Sequence, residues 1–190
     1  MAQVTTTQAI TWKVDKPHTQ IEFGVKHMMF TTVRGRFNDF DATIVLDEEN
    51  PNDSSVVVGL DAKSIDTAAP DRDTHLRSAD FFDVENHPKL TFRSKRVEGA
   101  SFEQGERFKV IGDLTIRGRT KEVELDATFE GQGRDPFGQE KAAFTAETKI
   151  DRHDFGLTWN QALETGGVLV GRDIKVTIDA QFVKPAAEEE

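Results

Sequence analysis

Cysteine and tyrosine are both absent from the 190 residues. Lack of cysteine excludes disulfides and thiolate metal sites, and says little about compartment. Lack of tyrosine matters because phenylalanine occurs 14 times. The aromatic surface thus carries no hydroxyl and suits a dry interior. No apolar run approaches the roughly 20 residues a transmembrane helix needs, so no stable membrane insertion is expected. The opening stretch, MAQVTTTQAIT, lacks the basic start and apolar core of a secretory signal. A cytoplasmic protein is the plain expectation, although removal of a leader would leave the same start. Positive charge is also scarce, with 24 Lys and Arg against 34 Asp and Glu and a net charge of -10. No basic stripe is present, which argues against a nucleic-acid partner; the acidic excess favours solubility.

Catalytic and metal-binding patterns are missing too. The five histidines, His18, His27, His75, His87 and His153, form neither HxH nor HExxH spacing. A metal site would need ligands converging from distant strands, and none is expected. Asp71-Arg72-Asp73 reads as helix capping and pairing with Arg72 rather than as paired carboxylates for acid–base chemistry. Ser78 and Asp80 lie near His75, but no constrained nucleophile turn or oxyanion hole accompanies them. Gly131-Gln132-Gly133 and Gly166-Gly167 lack the strand, helix and Gly-Lys-Ser/Thr context of a phosphate loop and read as turns. No cofactor is expected. Arg34, Arg36, Arg117 and Arg119 fall at strand ends, where they would bind a phosphate head group if they converge and otherwise form a solvated rim.

The sequence is rich in period-two alternation, the mark of half-buried strands. Ile21, Phe23 and Val25 alternate with polar residues, as do Phe40, Ala42, Ile44 and Leu46, and then Val56, Val58, Leu60 and Ala62. Further strands begin at Leu90, Phe108, Val123 and Phe144, and the last carries Ile174, Val176, Ile178, Ala180 and Phe182. About eight strands joined mostly by short turns predict an all-β antiparallel meander, either a sandwich or a closed barrel. Ala42, Ala62, Gly112, Ala127, Ala146 and Ala180 on the inward faces would leave room inside a barrel, unless Phe rings fill it. One segment breaks the pattern. Residues 71–82 predict a short helix, with Leu76 and Ala79 on its apolar face, followed by Phe81-Phe82 as a plug or lid on one end of the sheet. A second irregular section, 151–167, carries Phe155, Leu157, Trp159 and Leu163. Met28-Met29-Phe30 sits in a connection, where exposed apolar groups call for an explanation.

The motifs in order are Trp12-Lys13-Val14-Asp15 with His18, Phe23-Gly24-Val25-Lys26-His27, and Val33-Arg34-Gly35-Arg36-Phe37. Asp71-Arg72-Asp73, His75-Leu76-Arg77-Ser78 and Asp80-Phe81-Phe82-Asp83 follow. Then come Pro88, Phe92 and Ser94, the run Gly112 to Gly118 with Thr120-Lys121, Asp151-Arg152, Asp154-Phe155-Gly156 and Gly171. In this combination the chain resembles the YceI-like, polyisoprenoid-binding family from about Trp12 to Val183. The resemblance implies an eight-stranded lipocalin-like barrel whose apolar channel holds an extended lipid: a polyisoprenoid, an isoprenoid quinone or a fatty amide. It implies a non-enzymatic carrier and a homodimer. It supplies no shared catalytic residue set, and many members are exported.

The expected organisation is a flexible segment 1–11, one barrel domain 12–184 and an acidic tail 185–190. The lining is expected to comprise Phe23, Val25, Phe40, Ile44, Val58, Leu60, Phe92, Leu114, Leu125, Phe144 and Ile178. Met28, Phe30, Phe82, Leu157 and Trp159 are expected near the channel ends, with His27 at a mouth where it could meet a polar head. Two other readings stand beside this one. One is an enzyme using His27 or His75 as acid or base in the same pocket, and the other is a filled barrel serving as an interaction or stress-related protein.

Overall fold

Alternation closes the chain into a barrel. The structure, a computed structural model, describes residues 9–186. Eleven strands run in order: β1 (Ile10–Val14), β2 (Gln20–His27), β3 (Thr31–Phe37), β4 (Phe40–Leu46), β5 (Ser55–Asp61), β6 (Ile65–Asp66), β7 (Lys89–Glu98), β8 (Arg107–Ile116), β9 (Arg119–Arg134), β10 (Glu140–Asp151) and β11 (Val170–Val183). Among the described residues the single α-helix, α1, spans Pro70–Arg77. Every pairing is antiparallel, and β1 closes the ring on β11 through Lys13–Val183 and Val14–Phe182.

Eleven strands make eight staves because the first three staves are broken. A 3-10 turn at Lys16–His18 divides β1 from β2, Asn38 and Asp39 divide β3 from β4, and a 3-10 turn at Ala62–Ser64 divides β5 from β6. β1 pairs with β4 and β2 with β3, so the two halves of one bent stave meet the two halves of the next. The expected flexible segment 1–11 is shortened at its end, since Ile10 and Thr11 already pair with Leu46 and Val45. Residues 1–8 of that segment, and 187–190 of the acidic tail, lie outside the described residues.

Phe40, Ala42, Ile44 and Leu46 are all buried on β4, as their alternation requires. A bulge between Ser94 and Arg96 bends β7 against β8. Gly112 sits at that bend because a Cβ there would lie 2.3 Å from the Arg93 carbonyl oxygen.

The helical segment crosses one end of the barrel, here called the lid end. Pro70 occupies the first turn of α1, where its missing N–H is no loss. The expected capping by Asp71 is not found: the N-cap is Ala69, without a side-chain cap. Asp73 is buried instead, and its Oδ1 accepts from the Thr67 backbone N–H at 2.9 Å and from the Thr67 hydroxyl. Arg72 forms no ion pair with either aspartate and donates instead to the Thr67 hydroxyl and carbonyl oxygens at 2.7 and 2.8 Å. Arg77 donates to the carbonyls of Lys63 and Ile65, both at 2.9 Å. The helix is thus stapled to the β5–β6 stave. It ends at Arg77, so Ala79 lies beyond it and is exposed.

Candidate functional site

Inward side chains from all eight staves surround a cavity of about 290 Å³, lined almost entirely by carbon. This is near the lower bound of the roughly 300–1,000 Å³ typical of ligand sites, and so suits one ligand. Phe23, Val25, Phe40, Ile44, Val58, Leu60, Phe92, Leu114, Leu125, Phe144 and Ile178 line it, with Phe82 and Leu157 at the lid end.

Four expected residues are not on the lining. His27, Met28 and Phe30 belong to the β2–β3 hairpin tip, which projects past the barrel; Phe30 is 82% exposed. Trp159 covers the plug from outside the lining, its ring centroid 5.4 Å from Phe81 and 4.7 Å from His75. His27 ends strand β2, whereas Met28, Phe30 and Trp159 sit in a turn or an irregular segment, which has no side-chain period from which a direction can be read. The lining also includes Ile21, Phe37, Phe81, Leu90, Phe102, Phe155, Ile174, Val176 and Phe182. Alternation already marks Ile21, Ile174, Val176 and Phe182, whereas Phe102 and Phe155 enter from irregular segments.

The two ends differ in make-up. At the far end, Phe102, Phe129, Phe144 and Phe182 form a chain of rings, with successive centroids 5.7, 5.3 and 6.2 Å apart. At the lid end, Phe81 and Val84 from the α1 segment pack with Phe155 and Leu157 from the 151–169 strap. Phe82 meets Phe37 edge-on at 5.9 Å.

Arg152 holds the strap in place. It is 4% exposed. Its guanidinium donates to the carbonyls of Leu157 (2.6 Å), Gly171 (2.7 Å), Trp159 (2.9 Å) and Val170 (3.3 Å). Burial pulls its pKa below the ordinary arginine value; Asp151 opposes that shift and Arg172 adds to it. Arginine stays protonated all the same, so it fastens backbone and offers no acid or base. Arg117 adds a bond to the Gly156 carbonyl at 3.3 Å.

The barrel wall has a seam at this end. β9 and β10 pair from Arg134–Glu140 to Asp126–Glu147. Beyond that pair β9 continues to Arg119 and β10 to Asp151. Val123 and Leu125 on one side, and Thr148 and Ile150 on the other, face the cavity there.

Neither His27 nor His75 lines the cavity. The His75 Nε2 lies 2.8 Å from Asp80, on the outside of the plug. Among the described residues, no three His, Cys, Asp or Glu side chains gather to hold a metal. The four arginines fall in two places: Arg34 and Arg36 lie on β3, the latter 3.7 Å from Asp66, while Arg117 and Arg119 lie against Gly156.

A closed eight-stave barrel around an apolar cavity, with a short helix in a lid, has the architecture the motifs implied. The YceI-like domain matches residues 12–182. The chain belongs to the YceI-like family. Its YceI-like relatives include the UPF0312 protein ECA1782 of Pectobacterium atrosepticum, 43% identical over 152 residues, 79% of this chain and 77% of that one. The Campylobacter jejuni YCEI crystal structure is 30% identical, with a TM-score of 0.70 over 85% of this chain and 90% of that one. A polyisoprenoid binding domain from Saccharophagus degradans has a TM-score of 0.70 over 94% of this chain and 100% of that one. It is 13% identical and shares the fold.

Proposed function

We propose that this protein is a non-catalytic carrier for one long apolar molecule, of the polyisoprenoid, isoprenoid-quinone or fatty-amide class, held inside the barrel. The cavity of about 290 Å³ with its carbon lining carries this reading. Each CH₂ moved from water into it would contribute about 0.8 kcal/mol. The polyisoprenoid binding of the Saccharophagus degradans domain, built on the same fold, supports the class of ligand. An enzyme built on His27 or His75 finds no support, because both lie off the lining. A filled barrel is opposed by the internal space itself. The carrier is further proposed to work as a homodimer, which sedimentation equilibrium would check.

Native mass spectrometry of freshly purified protein, followed by organic extraction, tests the carrier reading. A stoichiometric long-chain species that leaves on denaturation is expected. Ala146→Phe places a ring among the lining residues and should abolish that species while far-ultraviolet circular dichroism stays unchanged. Equal lipid content in the variant and the parent would refute the cavity as the binding site.

A further inference from the structure

The β2–β3 hairpin tip is built against local chemistry. The Phe30 N–H donates to the His27 carbonyl at 3.1 Å, closing a turn whose central residues are Met28 (φ 50) and Met29 (φ 66). Two consecutive positions with positive φ call for Asn or Gly, and a methionine there carries backbone strain. That strain is not offset by burial, since Met28, Met29 and Phe30 are 40%, 67% and 82% exposed. A neighbouring turn in the strap adds Val168, 39% exposed. The two turns touch: the Met28 N–H donates to the Leu169 carbonyl at 2.8 Å, and a Cβ on Gly167 would lie 3.3 Å from the Met29 Sδ. The result is an apolar cap on the lid end of the barrel.

Its charge surroundings differ from the rest of the chain. From Phe23 to Phe37 the hairpin carries Lys26, Arg34 and Arg36 and no carboxylate, in a protein of net charge -10. All three cations are exposed. Arg36, farthest from the tip, is offset by Asp66 and faces Glu22 across the pair. Lys26 and Arg34 flank the apolar tip, and Glu164 is the nearest acid in the strap sequence. Apolar side chains at a loop tip with cations a short distance behind them match the layering of an anionic bilayer, with acyl chains below phosphate. A second copy of the chain is a poorer occupant. Four side chains on two convex turns fall well short of the roughly 20 residues a side of a stable interface.

We propose that this tip docks the lid end of the barrel on an anionic lipid bilayer, with Met28, Met29, Phe30 and Val168 entering the interface and Lys26 and Arg34 meeting lipid phosphates. The inference rests on the carrier reading, because it turns the end closed by the two inserted segments toward the lipid from which cargo would be taken or to which it would be given.

Co-sedimentation with phosphatidylcholine vesicles, with and without phosphatidylglycerol, tests the proposal on the full chain. The protein should bind the mixed vesicles more tightly than phosphatidylcholine alone, and added salt should erase the difference. The double variant Met29→Ser/Phe30→Ser should bind about tenfold more weakly, with an unchanged melting temperature. Arg34→Glu should remove the preference for phosphatidylglycerol. Phe137→Ser, which alters a lone phenylalanine 91% exposed in the far-end turn after β9, should bind like the parent. Absence of vesicle binding, or equal binding by the tip variant and the parent, would overturn the proposal. So would self-association that the tip variant abolishes in a protein that ignores vesicles, since a second copy would then be the occupant. Failure here is separable from failure of the carrier reading: the tip variant should retain resident lipid on extraction, and Ala146→Phe should retain vesicle binding.

Discussion

Phe129, Phe144 and Phe182 at the far end project from the staves themselves, with Phe102 folded in beside them from the turn before β8. Phe81, Phe82, Phe155 and Leu157 at the lid end ride on two segments laid over the barrel mouth. Those segments are held by arginine-to-carbonyl bonds from Arg72, Arg77, Arg117 and Arg152. Two equally apolar closures are therefore unequal in kind. Removing the far-end rings means unpairing strands, whereas the lid-end plug can shift if its staples release while the barrel stays closed. Passage of a long ligand would use the second.

The largest effects come from deleting one ring at each end. Phe129→Ala and Phe155→Ala should each cost about 3–5 kcal/mol in urea unfolding, because both rings are buried. Only Phe155→Ala should also speed release of a bound fluorescent fatty chain in stopped flow. Equal release rates in the two variants would erase the distinction between the ends. Next is Arg152→Ala, which removes the guanidinium bonds to four backbone carbonyls, of which Val170 keeps a bond from the Asn160 side-chain amide. A loss of about 3 kcal/mol is expected, with fast amide exchange confined to residues 152–171. Uniform exchange through all the staves would show instead that the strap and barrel open as one unit.

The smallest effect separates the ends by acid. Asp15, at the far end, is partly buried, which opposes ionisation. Hydrogen bonds from Lys141 (2.9 Å), Gln181 (2.8 Å) and His18 outweigh that and bring its pKa below the ordinary 3.8. Asp151, at the lid end, is lowered chiefly by its hydrogen bond with Arg172, against the pull of burial. A carboxyl depressed in the folded state adds stability above its unfolded pKa and loses it as pH falls through the folded one. The melting temperature should therefore hold through neutral pH and drop below about pH 4. Asp15→Asn should flatten the part of that drop arising at the far end, and Asp151→Asn the part arising in the strap. Acid melting curves identical to the parent in both variants would rule these carboxylates out as the source.

Much of this was legible in the alternation. Phe40, Ala42, Ile44 and Leu46 point inward as their spacing requires, and every stave contributes inward residues to the cavity. The turn at Lys16–His18 is marked by Pro17, whereas the breaks at Asn38 with Asp39 and at Ala62–Ser64 show only as a change of phase, with Phe37 and Ile65 buried at odd positions and Phe40 and Ala62 at even ones. Met28, Phe30 and Trp159 are expected near the channel ends as large apolar groups in irregular sections, and apolar composition does not separate a plug from a tip; His27 is expected at a mouth because it ends an apolar strand. The capping expected of Asp71 is missed because Ala69 takes the N-cap position, and the carboxylate that finds buried donors is Asp73, on Thr67 in the connection just before the helix.

Taken alone, then, the sequence determined the staves, their inward faces and the family, since side-chain direction in a strand follows from a period of two. Only the tertiary structure decided that small inward residues leave a space between the two closures, and that Arg152 fastens the strap through its carbonyls. It alone also showed that Met28, Met29 and Phe30 face outward. Each of these depends on contacts between segments far apart in the chain, and local periodicity carries no information about such contacts.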